Sequence, residues 1–125
     1  VFQFGATGCP EHVWSVLTTS QSTRRFLFGV VLESTWETGS RITGRLDRAP
    51  VMHGEVLFAE YPNRLTYLLA AGPEQPEAYV TWEVRECGAG AIVRLSVDEA
   101  DTTSEEVEAA WQPVVTKLQA LLSAP

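Results

Sequence analysis

The chain has 125 residues, 45 % of them hydrophobic, which suits one domain with one core over residues 1–125. Its net charge of −7 repels phosphate backbones and argues against a nucleic-acid partner. No apolar run approaches the roughly 20 residues of a membrane span; the two cysteines, Cys9 and Cys87, suit neither a disulfide framework nor a metal-ligand spacing, and as reduced thiols they point to the cytoplasm.

The chain begins at Val1 rather than at a methionine, which leaves open what precedes it. Val1–Ala6 reads as a strand. Thr7-Gly8-Cys9-Pro10-Glu11 then has the form of a helix start, with proline at the first helical position. On a helical wheel Pro10, Val13, Trp14 and Leu17 make one stripe, while His12 and Ser15 point away from it. A second short helix over Ser20–Leu27 is expected to end near Phe28-Gly29.

Turn signals then recur at short intervals: Glu37–Ser40, Asp47–Pro50, Tyr61–Arg64, Gly72–Pro76 and Cys87–Gly90. The segments around and between them are rich in β-branched and aromatic residues and read as six strands: Val30–Trp36, Arg41–Leu46, Met52–Glu60, Leu65–Ala71, Ala78–Glu86 and Ala91–Asp98. Short connections between successive strands imply an antiparallel meander. Val80, Trp82 and Val84 share one face of their strand, and Val93, Leu95 and Val97 share one face of the next. A period of two with one polar face means that one side of the sheet is covered and the other is wet. Leu65, Tyr67 and Leu69 face inward by the same rule. In Met52–Glu60 the alternation is ambiguous, because Val56 and Phe58 compete with Leu57, so the face taken by His53 and Glu55 is undetermined.

The last segment, Thr103–Ser123, is an amphipathic helix. Val107, Ala110, Trp111, Val114, Val115, Leu118, Leu121 and Leu122 fall in one apolar arc. Thr103 and Glu106 have the spacing of a capping box. Pro113 lies on the polar side and removes the bond to the Ala109 carbonyl, so a bend convex to solvent is expected there. The fold class is therefore α+β: strand, two short helices, a meander and one long helix, giving a curved antiparallel sheet of about seven strands wrapped around the C-terminal helix. A sheet that grips a helix without touching it everywhere leaves an apolar pocket between them.

This order resembles the SRPBCC, or START-like helix-grip, superfamily, and more closely its bacterial branch named after the activator of the heat-shock chaperone ATPase (the AHSA-type proteins). The resemblance rests on Cys9–Thr18, Glu37–Ile42, His53–Leu57, Tyr61–Tyr67, Val80–Val84, and Trp111 followed by Leu118, Leu121 and Leu122. Two positions depart from the pattern: Ser40 and Ala110 stand where the family often has glycine. The resemblance implies a central cavity for an apolar, amphipathic or lipid-like small molecule. It also implies, by analogy alone, contact with a chaperone, and it leaves self-association as a homodimer open.

From these residues the expected cavity walls are Phe26, Trp36, His53, Tyr67, Leu69, Trp82, Trp111, Val115 and Leu118, with Trp82 and Trp111 facing each other across the gap. Leading is the reading of a ligand-binding domain without a catalytic constellation, and neither cofactor nor metal is expected. Two alternatives accompany it. One is a cyclase- or hydrolase-like enzyme using His53 and Glu55, which share a face in a strand, as acid–base groups beside Tyr67. The other is a chaperone-associated or regulatory protein-interaction module. The two histidines are too scattered to build a nucleophile–base pair or a metal site. His12, Cys9 at its helix cap, and the pairs Arg24-Arg25 and Arg45/Arg48 are read as solvated surface residues.

Overall fold

The computed structural model describes residues 1–71, 77–99 and 102–123, the last without its side chain. The expected turn at Gly72–Pro76 lies outside the described residues. The elements in chain order are β1 (Phe2–Ala6), α1 (Pro10–Thr18), α2 (Ser20–Phe26), β2 (Val31–Glu33), β3 (Arg41–Leu46), β4 (Ala49–Glu60), β5 (Arg64–Ala70), β6 (Ala78–Cys87), β7 (Gly90–Glu99) and α3 (Ser104–Ser123).

The strands form one antiparallel sheet in the order β1-β7-β6-β5-β4-β3-β2. Strands β2 to β7 are a continuous meander, and β1 returns to pair with β7, so that Phe4 lies opposite Val93. The two short helices fill the excursion between β1 and β2. α3 lies against β1, β7 and α2, on the concave side of the sheet. This is the α+β helix-grip arrangement.

Alternation decides which residues meet α3. Val80, Trp82 and Val84 of β6, and Val93 and Leu95 of β7, are buried, as are Leu65, Tyr67 and Leu69 of β5. From α3, Val107, Trp111, Val114, Val115, Leu118 and Leu122 are buried against them, while Ala110, expected inside the same arc, is exposed. The helix runs without interruption through Pro113, which is itself exposed. Its start is capped as the spacing predicts: the Glu106 backbone N–H donates to Thr103 Oγ1 at 3.2 Å.

Two segments differ from the sequence reading. The first strand after α2 is short and ends at Glu33, not at Trp36. The Trp36 backbone N–H donates to Ser34 Oγ at 3.1 Å, and the Ser34 and Ser40 hydroxyls meet at 3.0 Å, so this stretch closes on itself as a loop. The second is β4, which begins at Ala49 and follows a two-residue turn of Asp47 and Arg48, both with positive φ. Pro50 is tolerated inside this strand because the register slips beside it, between Gly44 and Arg45. A further slip lies between Val56 and Phe58. It reverses the alternation, so Val56 is buried whereas Phe58 is 43 % exposed, and no single parity fits the strand.

Candidate functional site

The centre of the sheet–helix interface is packed. Trp82 Nε1 donates to the Tyr67 hydroxyl at 2.9 Å. The Phe26 ring meets Trp82 edge-on with centroids 6.2 Å apart, and Trp36 lies 5.8 Å from Tyr67 at the rim. Phe26, Tyr67, Trp82, Val115 and Leu118 are all buried in one core cluster. Burial raises the Tyr67 phenol well above its ordinary value, against a smaller lowering by the bond from Trp82.

An opening exists at one end of this interface. It is a cleft of about 200 Å³ between the start of α3 and the ends of the central strands. Ala110 and Trp111 line it from α3, Phe28 from the turn after α2, and Met52, Leu69 and Ala78 from β4, β5 and β6. Ala71, just beyond β5, and Glu99, the last residue of β7, complete the wall. Phe28 stands edge-on to Trp111 with centroids 5.1 Å apart. Its backbone is left-handed, φ 53°, and Gly29 follows at φ 72°, so the chain turns sharply there and turns the ring out of α2 toward α3. Gly44, opposite Met52, brings β3 close: a Cβ on it would come within 2.8 Å of both Met52 Cβ and Val30 Cγ1.

The expected wall residues are thus divided. Leu69 and Trp111 line the cleft, whereas Phe26, Tyr67, Trp82, Val115 and Leu118 belong to the packed core and Trp36 covers its rim. Trp82 and Trp111 take different ring partners, Phe26 and Phe28, rather than facing each other across a gap. His53 must be corrected. It is exposed on the outer face of the sheet with Glu55, because Val56 faces inward and both alternate residues before it face outward. His53 sits opposite Thr43 on β3, on the face away from Tyr67 and outside the cleft, so the expected pairing with the phenol is not formed.

Phe28, Met52, Ala71, Ala78, Glu99 and Ala110 line the cleft but lie outside the expected wall set, and of these Phe28 and Glu99 bring an aromatic ring and a charge. Phe28 lies in a turn, where no periodicity operates. Glu99 carried a signal: the inward series Val93, Leu95, Val97 reaches it if β7 is extended by one residue past Asp98. Among the described residues no group of three histidine, cysteine, aspartate or glutamate side chains is placed to hold a metal, and no helix is long and apolar enough to cross a membrane. Cys9 and Cys87 are exposed and unbridged.

Residues 9–123 match the sequence profile of the family described as Activator of Hsp90 ATPase homolog 1-like protein. No curated protein matches the chain significantly. Among solved structures, protein MLL2253 from Mesorhizobium loti is similar with a TM-score of 0.79 and 22 % identity, over 97 % of this chain and 93 % of that one. CalU16 from Micromonospora echinospora is similar with a TM-score of 0.74 and 20 % identity, over 97 % of this chain and 73 % of that one. The Aha1 dimer from Colwellia psychrerythraea gives a TM-score of 0.74 at 17 % identity, over 98 % of this chain and 93 % of that one. At these identities the likeness is one of fold.

Proposed function

The chain belongs to the family of Activator of Hsp90 ATPase homolog 1-like proteins, and on that premise we propose that it binds a small apolar molecule in the cleft between Phe28 and Trp111. The cleft carries this reading. Its volume of about 200 Å³ exceeds that of the roughly 150 Å³ engineered cavities that take up benzene. It is open at one end and walled mainly by apolar side chains, so transfer of apolar surface out of water would drive binding. The ligand would enter at the end of the interface, not in its packed centre. Two exposed, unbridged thiols fit a reducing compartment and support a cytoplasmic location.

The test is a titration with 1-octanol, read on the indole N–H signals of the four tryptophans by NMR. Trp111 should shift in a saturable way while Trp14, far along α1, stays in place. Phe28→Ala should weaken octanol binding about fivefold or more, in line with the area a phenyl ring contributes. Phe28 is 45 % exposed, so its removal should leave the melting temperature nearly unchanged. No saturable shift at Trp111 would rule the reading out.

The family description and the Colwellia relative, described as a dimer, favour a second reading: a module that contacts a chaperone or a second copy of itself. Light scattering of the purified chain and binding to an immobilised Hsp90-type chaperone would test it. A monomer that is not retained would end it.

A further inference from the structure

We propose that the cleft selects a cationic ligand: an ammonium group carried on a small apolar body. The inference rests on the binding reading above and adds the charge of the ligand to it. Its basis is Glu99, the one ionisable side chain among the lining residues. Glu99 continues the inward series of β7 and lies opposite Ala78, which is itself buried. Its carboxylate therefore stands on the concave face of the sheet, where the neighbouring positions are apolar. Among the described residues it has no ion-pair partner; the salt bridge they form, Glu33 to Arg45, lies elsewhere, on β2 and β3.

A half-buried carboxylate on the wall of an otherwise apolar cleft attracts a counter-charge and repels an anion. The adjoining groove of about 180 Å³ shares Glu99 and adds the carboxylates of Asp98 and Glu108. The net charge of −7 adds attraction at longer range. Phe28 and Trp111 supply the remaining element. Phe28, 45 % exposed, offers aromatic surface in the same cleft as the carboxylate, with Trp111 edge-on behind it, and an ammonium group is drawn to aromatic faces. The apolar body would then rest on Met52, Leu69 and Ala78.

Three probes with the same chain separate the parts of this proposal: octylammonium, 1-octanol and octanoate, titrated at neutral pH and followed at the Trp111 indole N–H. Octylammonium should bind about fivefold or more tighter than octanol, and octanoate weaker than octanol, as a partly exposed charge pair and a cation–π contact allow. Glu99→Gln keeps the shape of the site and should bring octylammonium down to the affinity of octanol, leaving octanol unchanged. Raised salt should narrow the gap in the wild type. Equal affinity of octylammonium and octanol, or a preference that survives Glu99→Gln, would overturn the charge inference while leaving the apolar cleft intact. Failure of all three probes would overturn both.

Discussion

The Tyr67 hydroxyl accepts the only polar group that Trp82 brings into the core, at 2.9 Å. Both residues are about 1 % exposed, so water cannot replace the partner. Tyr67→Phe would strand the indole N–H and should cost about 1–3 kcal/mol. The same phenol links stability to pH. Burial raises its pKa above the ordinary 10.0, so at high pH the folded state keeps a proton that the unfolded chain has lost. Its contribution is complete below about pH 10 and falls above it, by up to about 1.4 kcal/mol per pH unit. Urea unfolding of the wild type and Tyr67→Phe should therefore show a gap that is constant near neutrality and shrinks above about pH 10. Tyr61 and Tyr79 are exposed in both proteins and cancel in the comparison. A gap that does not change with pH would mean that the phenol is open to base.

Elements with uninterrupted periods were legible from sequence, and those with interruptions were not. β6, β7 and α3 alternate or repeat without a break, so their buried faces follow from spacing, with Ala110 of α3 the exception at the mouth of the cleft. In β4 the slip between Val56 and Phe58 reverses the pattern midway, and a period-two reading assumes that no such slip occurs. The same limit applies to the cleft. Leu69 and Trp111 sit on regular elements and were found; Phe28 sits where two consecutive residues take positive φ, and tertiary packing alone directs its ring. The packed centre was likewise invisible, because side-chain volume does not show in a hydrophobic pattern whether a gap is filled. β4 also contains the strand's most demanding position. A Cβ added at Gly54 would overlap the backbone carbonyl oxygen of Leu68 on β5, and a backbone atom cannot swing aside. Gly54→Ala should thus push β4 off β5 and destabilise by at least about 2 kcal/mol. Faster hydrogen exchange at the Leu69 amide, together with the lowered denaturation midpoint, would locate the damage; unchanged stability would show that the two strands can separate freely.

At the scale of the molecule, one core joins every layer. β1 pairs with β7 although two helices and five strands lie between them in sequence, and Thr7 Oγ1 donates to the Leu122 carbonyl oxygen at 2.7 Å, tying the loop after β1 to the end of α3. The helix therefore cannot leave the sheet without breaking contacts from both ends of the chain. Leu118 is fully buried in this shared core. Leu118→Ala should cost about 2–5 kcal/mol, as cavity-forming substitutions do. That is a large part of the roughly 5–15 kcal/mol that holds a domain of this kind together. Because α3 and the sheet share the core, the loss should lower the single unfolding midpoint without dividing the transition. Far-UV circular dichroism reports largely on the helices, and the NMR signal of the Trp82 indole N–H, bonded to Tyr67 within the sheet, reports on the sheet. In urea the two signals should move together to a lower midpoint, with the slope of the transition unchanged. If the helical signal melted first and left the Trp82 indole signal in place, α3 would be a detachable cover, and the cleft at its Trp111 end would open by lifting the helix instead of standing preformed.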